Sequence, residues 1–198
     1  MYPYAREAYD NRKFAFVTDV VRLYALYHEG GIYMDTDVEV LKPLDSFLKH
    51  TAFSGFEDET QVPTGIMASE KGGIWAKENL EYYKGRHLVN EDGSLDLTTN
   101  VITITNYMLK HGLRQDNSLQ DFPGLITMYP KDYFCPLSWQ GHKMQMTNNT
   151  VTIHHFAGSW LPWDGRLLKR FSWLEERFPR IYHHLVYIPI LKLKNHLK

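Results

Sequence analysis

The sequence has little cysteine, no long apolar run and no excess of either charge. Cys135 is the single cysteine among 198 residues, which excludes an internal disulfide and a cysteine-based metal cluster. No stretch reaches the roughly 18–20 apolar residues of a membrane span, and residues 1–13 lack the apolar core of a signal peptide. The formal net charge of −1 argues against a nucleic-acid partner, which normally requires a basic surface. These absences predict a cytoplasmic protein.

What the chain does contain suits a single folded domain. Hydrophobic residues make up 43% and aromatic residues 14% of the sequence, a composition typical of globular rather than disordered proteins. Segments with helical spacing alternate with short segments of strand-like composition, and this alternation is typical of the α/β class. We expect one domain over residues 1–180, followed by a basic and apolar tail over residues 181–198.

A predicted helix is followed at once by a predicted strand near the start of the chain. Apolar residues recur at helical spacing over residues 13–29. Gly30 and Gly31 then end the helix as a C-cap would. Over residues 32–41 the pattern changes to strict alternation, which predicts a strand with one polar face.

Two aspartates share the polar face of that predicted strand. Asp35 and Asp37 would lie roughly 6.5–7 Å apart, where they repel by roughly 0.6 kcal/mol in water and roughly 2.4 kcal/mol at an effective dielectric of about 20. A divalent cation between them would reverse this repulsion, because Mg²⁺ and Mn²⁺ prefer oxygen ligands and leave room for phosphate. The alternative is a solvated polar face. Asp19 and Arg22, three residues apart on the preceding helix, are either an ordinary ion pair or part of the same cleft.

The segment VTDVVRLYALYHEGGIYMDTDVEVLKPLD (17–45) closely resembles the DXD-containing sugar-transferase region of glycosyltransferase family 32. Capsular-polysaccharide transferases and yeast-type mannosyltransferases belong to this family. The matching residues are Asp19, Arg22, Leu26, Gly30, Gly31, Tyr33, Asp35 and Asp37. The resemblance implies a GT-A-type fold with a mixed sheet flanked by helices, a nucleotide-sugar donor, a divalent cation and transfer with retention of configuration.

The resemblance also implies roles for individual residues. Asp19 and Arg22 would hold hydroxyls of the donor sugar, and Gly31 is counted with them as a substrate-binding residue. Asp35 would contact ribose or sugar and help to hold the metal. Asp37 would bind the metal and, through it, the diphosphate. Arg22 would add positive charge beside the leaving group, so Arg22, Asp35 and Asp37 form the expected catalytic set.

A second, weaker resemblance lies in HHFAGSW (154–160), which is similar to the closing motif of this fold group. His155, followed by an aromatic residue and a glycine, fits the third metal ligand better than His154, and a neutral imidazole is a reasonable ligand beside carboxylates. Ser159 and Trp160 would then lie over the diphosphate or the sugar. The alternative is a buried, hydrogen-bonded histidine beside a core tryptophan.

The expected function is that of a retaining glycosyltransferase that depends on Mn²⁺ or Mg²⁺. It would move a sugar from a UDP- or GDP-sugar to a glycan or lipid-linked acceptor in surface polysaccharide (capsule) synthesis. The tail over residues 181–198 would contact a membrane surface, or would be a helix packed on the domain.

Two other functions stay open. Family members normally begin with a strand reading roughly IPKIIHQIW, whereas this chain starts almost at the helix, so we expect the first strand to be missing. An inactive sugar-binding or scaffold protein is therefore one alternative. The other is a phosphotransferase of the HAD type, which typically has Gly-Thr where this chain has Val38 and Glu39.

Overall fold

Residues 2–63, 65–138, 144–158 and 163–196 are described by the computed structural model of the chain. The helices among them are α1 (Pro3–Asp10), α2 (Phe14–His28), α3 (Ile74–Glu81), α4 (Asn100–Lys110), α5 (Lys131–Phe134), α6 (Trp163–Arg170), α7 (Ser172–Arg177), α8 (Pro179–Tyr182) and α9 (Ile188–His196). The strands are β1 (Gly31–Met34), β2 (Val38–Val40), β3 (Ala52–Gly55), β4 (Ile66–Ser69), β5 (Gln120–Phe122), β6 (Ile126–Tyr129) and β7 (Thr152–His154).

Five of these strands form a mixed sheet in the order β1-β4-β3-β6-β5. β3 and β6 are parallel, and the other neighbouring pairs are antiparallel. Because β1 and β3 both run antiparallel to β4, they run in the same direction as each other and as β6. The carboxyl ends of β1, β3 and β6 therefore lie at one edge of the sheet.

Side chains from the two faces of this sheet enter two separate apolar clusters. Met67 of β4 packs with residues of α1–α4, among them Leu23 and Trp75. Its neighbour Ile66 points to the other face and packs with Phe134 of α5, as strand alternation requires. A mixed sheet flanked by helices confirms the predicted α/β class and is consistent with a GT-A-like fold.

The strand predicted over residues 32–41 is interrupted, which corrects the expectation that Asp35 and Asp37 share one strand face. β1 ends at Met34 and pairs with β4, whereas β2 begins at Val38 and pairs with β7. Between them the Val38 N–H donates to the Asp35 carbonyl oxygen at 3.0 Å and closes a turn. The alternation in the sequence belongs to two short strands in two different sheets.

The other predicted elements agree with the structure in kind. Residues 13–29 contain α2, as predicted, and residues 99–112, where the sequence also predicts a helix, contain α4. Residues 124–139, where the sequence predicts one or two strands, contain β6 followed by the short helix α5. α1 and β5 had no counterpart among the predictions.

The chain divides into two compact units, which are Met1–Pro136 with Gln145–His155, and Leu137–Met144 with Phe156–Lys198. The first contains both sheets and the turn with Asp35 and Asp37. The second contains α6–α9 and a π-helical turn at His183–Tyr187, with a small core of Tyr182, Val186 and Ile190. The predicted domain boundary at residue 180 falls inside the second unit and stays a prediction. In the described part of the chain, none of the helices has both the length and the apolar character needed to cross a membrane.

Candidate metal and donor site

The turn that carries Asp35 and Asp37 lies where the two sheets meet. The Asp35 N–H donates to the Gly65 carbonyl oxygen at 2.8 Å, which continues the β1–β4 ladder by one residue. The residue after Asp37, Val38, begins β2 and lies opposite His154 of β7. This pairing brings the last residue of β7 to the aspartate turn.

Asp35, Asp37 and His154 converge at this point. One carboxylate oxygen of each aspartate and one ring nitrogen of His154 lie within 4.8 Å of one another. The Nε2 atom of His154 is 3.4 Å from Asp37 Oδ1 and 3.9 Å from Asp35 Oδ2. His154 is buried, and both carboxylates are about three-quarters buried. Two carboxylates and an imidazole form a donor set that suits a divalent cation, so this group could hold a metal ion.

Arg22 joins helix α2 to the same site. Its Nη2 atom lies 3.3 Å from Asp35 Oδ1 and 3.6 Å from Asp19 Oδ1, and its guanidinium stacks 4.6 Å from the ring centroid of Tyr33. The Tyr33 hydroxyl donates to Asp35 Oδ1 at 2.7 Å. Arg22 also donates to the Thr18 carbonyl and hydroxyl oxygens. The guanidinium is therefore fixed between two carboxylates, in the orientation that a planar fork of donors allows.

Asp19 contacts the start of helix α4 as well as Arg22. Its carboxylate accepts a hydrogen bond from the Asn100 N–H at 3.2 Å, at the start of helix α4. A carboxylate at a helix N-terminus is favourable because it accepts a free N–H and faces the positive end of the dipole. Burial nevertheless raises the pKa of Asp19 to about 6, with Arg22 and the Asn100 N–H opposing the shift.

Comparison with known proteins agrees with this geometry. Residues 1–54 match the family described as glycosyltransferase sugar-binding region containing DXD motif. Over these residues the chain is therefore similar to the DXD-containing region of glycosyltransferases. It is also 44% identical to a protein named Glucan organizing enzyme 1 from Cryptococcus neoformans var. grubii serotype A (strain H99), over a region covering 75% of this chain and 38% of that relative. The chain thus spans less than half the length of this relative. No solved structure matches it.

The structure does not bring the side chain of His155 to Asp35 and Asp37. The side chain of His155 is about half exposed, and its Nε2 atom lies 2.8 Å from Glu39 Oε2. Its backbone N–H donates to the Asp37 carbonyl oxygen. His154 and His155 are adjacent, and the pairing of β7 with β2 decides that His154 faces the aspartates. Ser159 and Trp160 lie outside the described residues.

Gly31 is the other predicted substrate-binding residue, and it lies away from the aspartate turn. It begins β1, whereas Asp35 follows the last residue of that strand, and four strand residues span roughly 13 Å. Gly31 has a φ of +101° and Gly30 a φ of +72°. A Cβ on Gly30 would come within 2.6 Å of the Lys71 backbone nitrogen. The two glycines therefore allow the backbone to turn from α2 into β1, and this connection places Arg22 beside Asp35.

Two residues near Asp35 and Arg22, Tyr33 and Glu57, have no role assigned from the sequence. The Tyr33 hydroxyl donates a hydrogen bond to Asp35, and its ring packs against the Arg22 guanidinium. Its position two residues before Asp35 in the motif is the sequence feature that could have indicated this role. Glu57, two residues after the end of β3, is coupled electrostatically to Asp35 and Arg22. Nothing in the local sequence around Glu57 distinguishes it from the two acidic residues that follow it.

Proposed function

We propose that the chain is a metal-dependent retaining glycosyltransferase that uses a UDP- or GDP-sugar as donor and a glycan as acceptor. The observation that carries the proposal is the convergence of Asp35, Asp37 and His154 beside the Asp19–Arg22 pair, in a DXD glycosyltransferase region. The bond between the anomeric carbon and the diphosphate oxygen breaks, and its electron pair stays on the diphosphate. The acceptor hydroxyl oxygen bonds to the same carbon, and its proton leaves with the diphosphate or solvent.

Asp35, Asp37 and His154 would hold Mn²⁺ or Mg²⁺. When bound, the ion would supply positive charge that binds the diphosphate and stabilises it as it leaves. The donor set supports this assignment because Asp35 and Asp37, both about three-quarters buried, repel each other, and a cation bound between them would offset this repulsion. His154 takes the place that the sequence had favoured for His155, because only His154 lies within reach of both aspartates.

Arg22 and Asp19 would orient the donor. The guanidinium of Arg22 has one side fixed by Thr18 and Tyr33, and its remaining donors can bind sugar hydroxyls or diphosphate oxygens. Asp19 uses one oxygen to accept the Asn100 N–H, which leaves the other for Arg22 and a sugar hydroxyl. Fixed donors and acceptors cost little reorganisation when the charge on the leaving group develops.

The acceptor class is proposed from the relative. The name of that relative, Glucan organizing enzyme 1, refers to a glucan, so a glucan or related glycan, free or lipid-linked, is the proposed acceptor of this chain. A role in polysaccharide synthesis, including that of a capsule, follows from the same assignment. A cytoplasmic location stays a prediction.

The second unit would contact a membrane surface. The exposed apolar stripe consists of Phe178 at the N-cap of α8, Ile181 in α8 and Leu185 in the π-helical turn, which are 46%, 47% and 72% exposed. Between residues 163 and 196 the sequence has seven Lys and Arg against three Asp and Glu. An exposed apolar stripe with a basic surround is typical of helices that lie on anionic lipid. A surface that holds a lipid-linked acceptor would keep the acceptor near the enzyme.

A nucleotide-sugar assay tests the proposed function. The purified chain is incubated with a panel of UDP- and GDP-sugars and with Mn²⁺, Mg²⁺ or EDTA, and release of nucleoside diphosphate and binding of donor are both measured. We expect one donor to bind and react only with metal present, and Asp37→Asn to remove both effects. Glu39→Gln, an exposed acid bonded to His155, is the matched control and should behave as the wild type. Metal-dependent binding without turnover would support the non-catalytic sugar-binding alternative, and no binding of any donor would overturn the proposal.

A further inference from the structure

Glu57 lies at the same edge of the sheet as the aspartate turn. Asp35 follows the carboxyl end of β1, and Glu57 follows the carboxyl end of β3, which runs in the same direction on the other side of β4. Two strand spacings separate β1 from β3, or roughly 10 Å. The backbone that leads to Glu57 is fixed, because the Phe56 N–H donates to the Tyr129 carbonyl oxygen at 2.9 Å.

Glu57 is the first of three consecutive acidic residues, and its neighbours both have structural partners. Asp58 Oδ1 accepts hydrogen bonds from the N–H and hydroxyl of Thr60, so it closes the turn after β3. Glu59 forms an ion pair with Lys131. Across residues 2–63, 65–138, 144–158 and 163–196, the carboxyl group of Glu57 has no hydrogen bond or ion pair of its own.

Glu57 is partly buried beside other charged groups. Burial, followed by the nearby charges of Asp58 and Asp35, raises the pKa of Glu57 to about 8, and Arg22 opposes this shift. A partly buried carboxyl group is less well hydrated than one in water, so a hydrogen bond from a bound molecule would be favourable there. The carboxyl group of Glu57 thus lies in the field of Asp35 and Arg22, the two residues that flank the proposed donor site.

We propose that Glu57 is a specificity-determining residue of this site, whose carboxyl group hydrogen-bonds a hydroxyl of the sugar being transferred. The inference rests on the proposed function. A sugar hydroxyl both donates and accepts, so it can pair with the carboxyl group in either protonation state. Arg22 would hold the sugar from the α2 side, and Glu57 would hold it from the β3 side of the same edge.

The test combines variants of Glu57 with altered donors. Glu57→Ala and Glu57→Gln are compared with Glu59→Gln, a matched control that removes an acid two residues away. The donors are the nucleotide sugar that the wild type uses best and its monodeoxy analogues, each assayed with Mn²⁺. We expect Glu57→Ala to lower kcat/KM roughly 10- to 100-fold, as for loss of a hydrogen bond to a charged group. One deoxy donor should lose a similar factor with the wild type and lose nothing further with Glu57→Ala.

Binding measurements separate this role from a structural one. Affinities for Mn²⁺ alone and for the free nucleoside diphosphate should change by no more than about threefold in Glu57→Gln, since the proposed contact is with the sugar. Glu57→Gln also serves if Glu57→Ala does not fold. The inference is overturned if the Glu57 variants keep full activity, if they discriminate against every deoxy donor as the wild type does, or if Glu59→Gln loses as much. If the wild type reacts with no donor, the proposed function fails and this inference fails with it.

Discussion

Arg22 and Asp35 lie 3.3 Å apart, between Nη2 and Oδ1, although one belongs to helix α2 and the other follows strand β1. The side chain of Arg22 is only 11% exposed and that of Asp35 is 24% exposed. Breaking such a pair leaves a buried charge unpaired, which costs about 3–5 kcal/mol. The contact therefore links the stability of the helix–strand junction to the geometry of the proposed donor site.

Replacing Arg22 should separate these two effects. We expect Arg22→Ala to lower the free energy of unfolding by about 3 kcal/mol, because Asp19 and Asp35 lose their shared cation. Arg22→Lys should retain most of the stability but lose at least about tenfold in donor turnover, since an ammonium lacks the planar fork. Urea unfolding and nucleoside diphosphate release measure the two quantities.

Arg6→Ala is the control for an exposed ion pair. It breaks the Arg6–Asp10 pair and should lower the free energy of unfolding by less than about 1 kcal/mol. Equal losses for both alanine variants would contradict the buried-pair argument.

The two adjacent histidines should differ in their effect on metal binding. His154→Gln removes the nitrogen beside the aspartates and should weaken Mn²⁺ binding at least about tenfold, since even outer-sphere partners of a metal contribute 10- to 100-fold. His155→Gln removes only an exposed contact with Glu39 and should leave Mn²⁺ affinity unchanged. Titration of Mn²⁺ by calorimetry measures both variants. A loss in His155→Gln alone would return the third ligand to the residue that the motif resemblance favoured.

Features set by local spacing were predictable from the sequence, and features set by strand pairing were not. The spacing that predicts helix α2 and the Asp-x-Asp pattern of Asp35 and Asp37 both lie within short stretches of the sequence. The break after Met34 depends on β1 and β2 pairing with different partners, β4 and β7, which periodicity does not encode. The prediction of one continuous strand over residues 32–41 was wrong. The two aspartates still converge, because the turn between β1 and β2 brings them together in place of a shared strand face.

The same reason explains the residues that the sequence could not assign. His154 and His155 are neighbours in one strand-like segment, and only the register with β2 selects between them. Glu57 lies at the same edge of the sheet as Asp35 because the strands are arranged in the order β1-β4-β3. No motif in the sequence indicates this strand order.

Glu57 should make stability depend on pH. Burial raises its pKa from 4.5 to about 8, so the folded state holds this proton more tightly than the unfolded chain does. Its stabilising contribution is complete below pH 4.5 and is lost as the pH rises through 8. At about 1.4 kcal/mol per pKa unit, the loss of stability is on the order of 5 kcal/mol at most. Urea unfolding in EDTA should show this fall in the wild type, whereas Glu57→Gln should lack it and exceed the wild type in stability above pH 8. Parallel pH profiles would contradict the buried position of Glu57.

The second unit should bind anionic lipid through its exposed apolar stripe. Wild-type chain should sediment with vesicles containing phosphatidylserine and much less with phosphatidylcholine alone, because both apolar burial and basic charge contribute. Ile181→Ser with Leu185→Ser should reduce the bound fraction, since these apolar side chains are 47% and 72% exposed. Leu48→Ser removes an apolar side chain that is 60% exposed in the first unit and should have no effect. Added salt should weaken binding by screening the basic residues. Equal binding to both vesicle types, unaffected by the double variant, would instead show that the stripe does not face lipid.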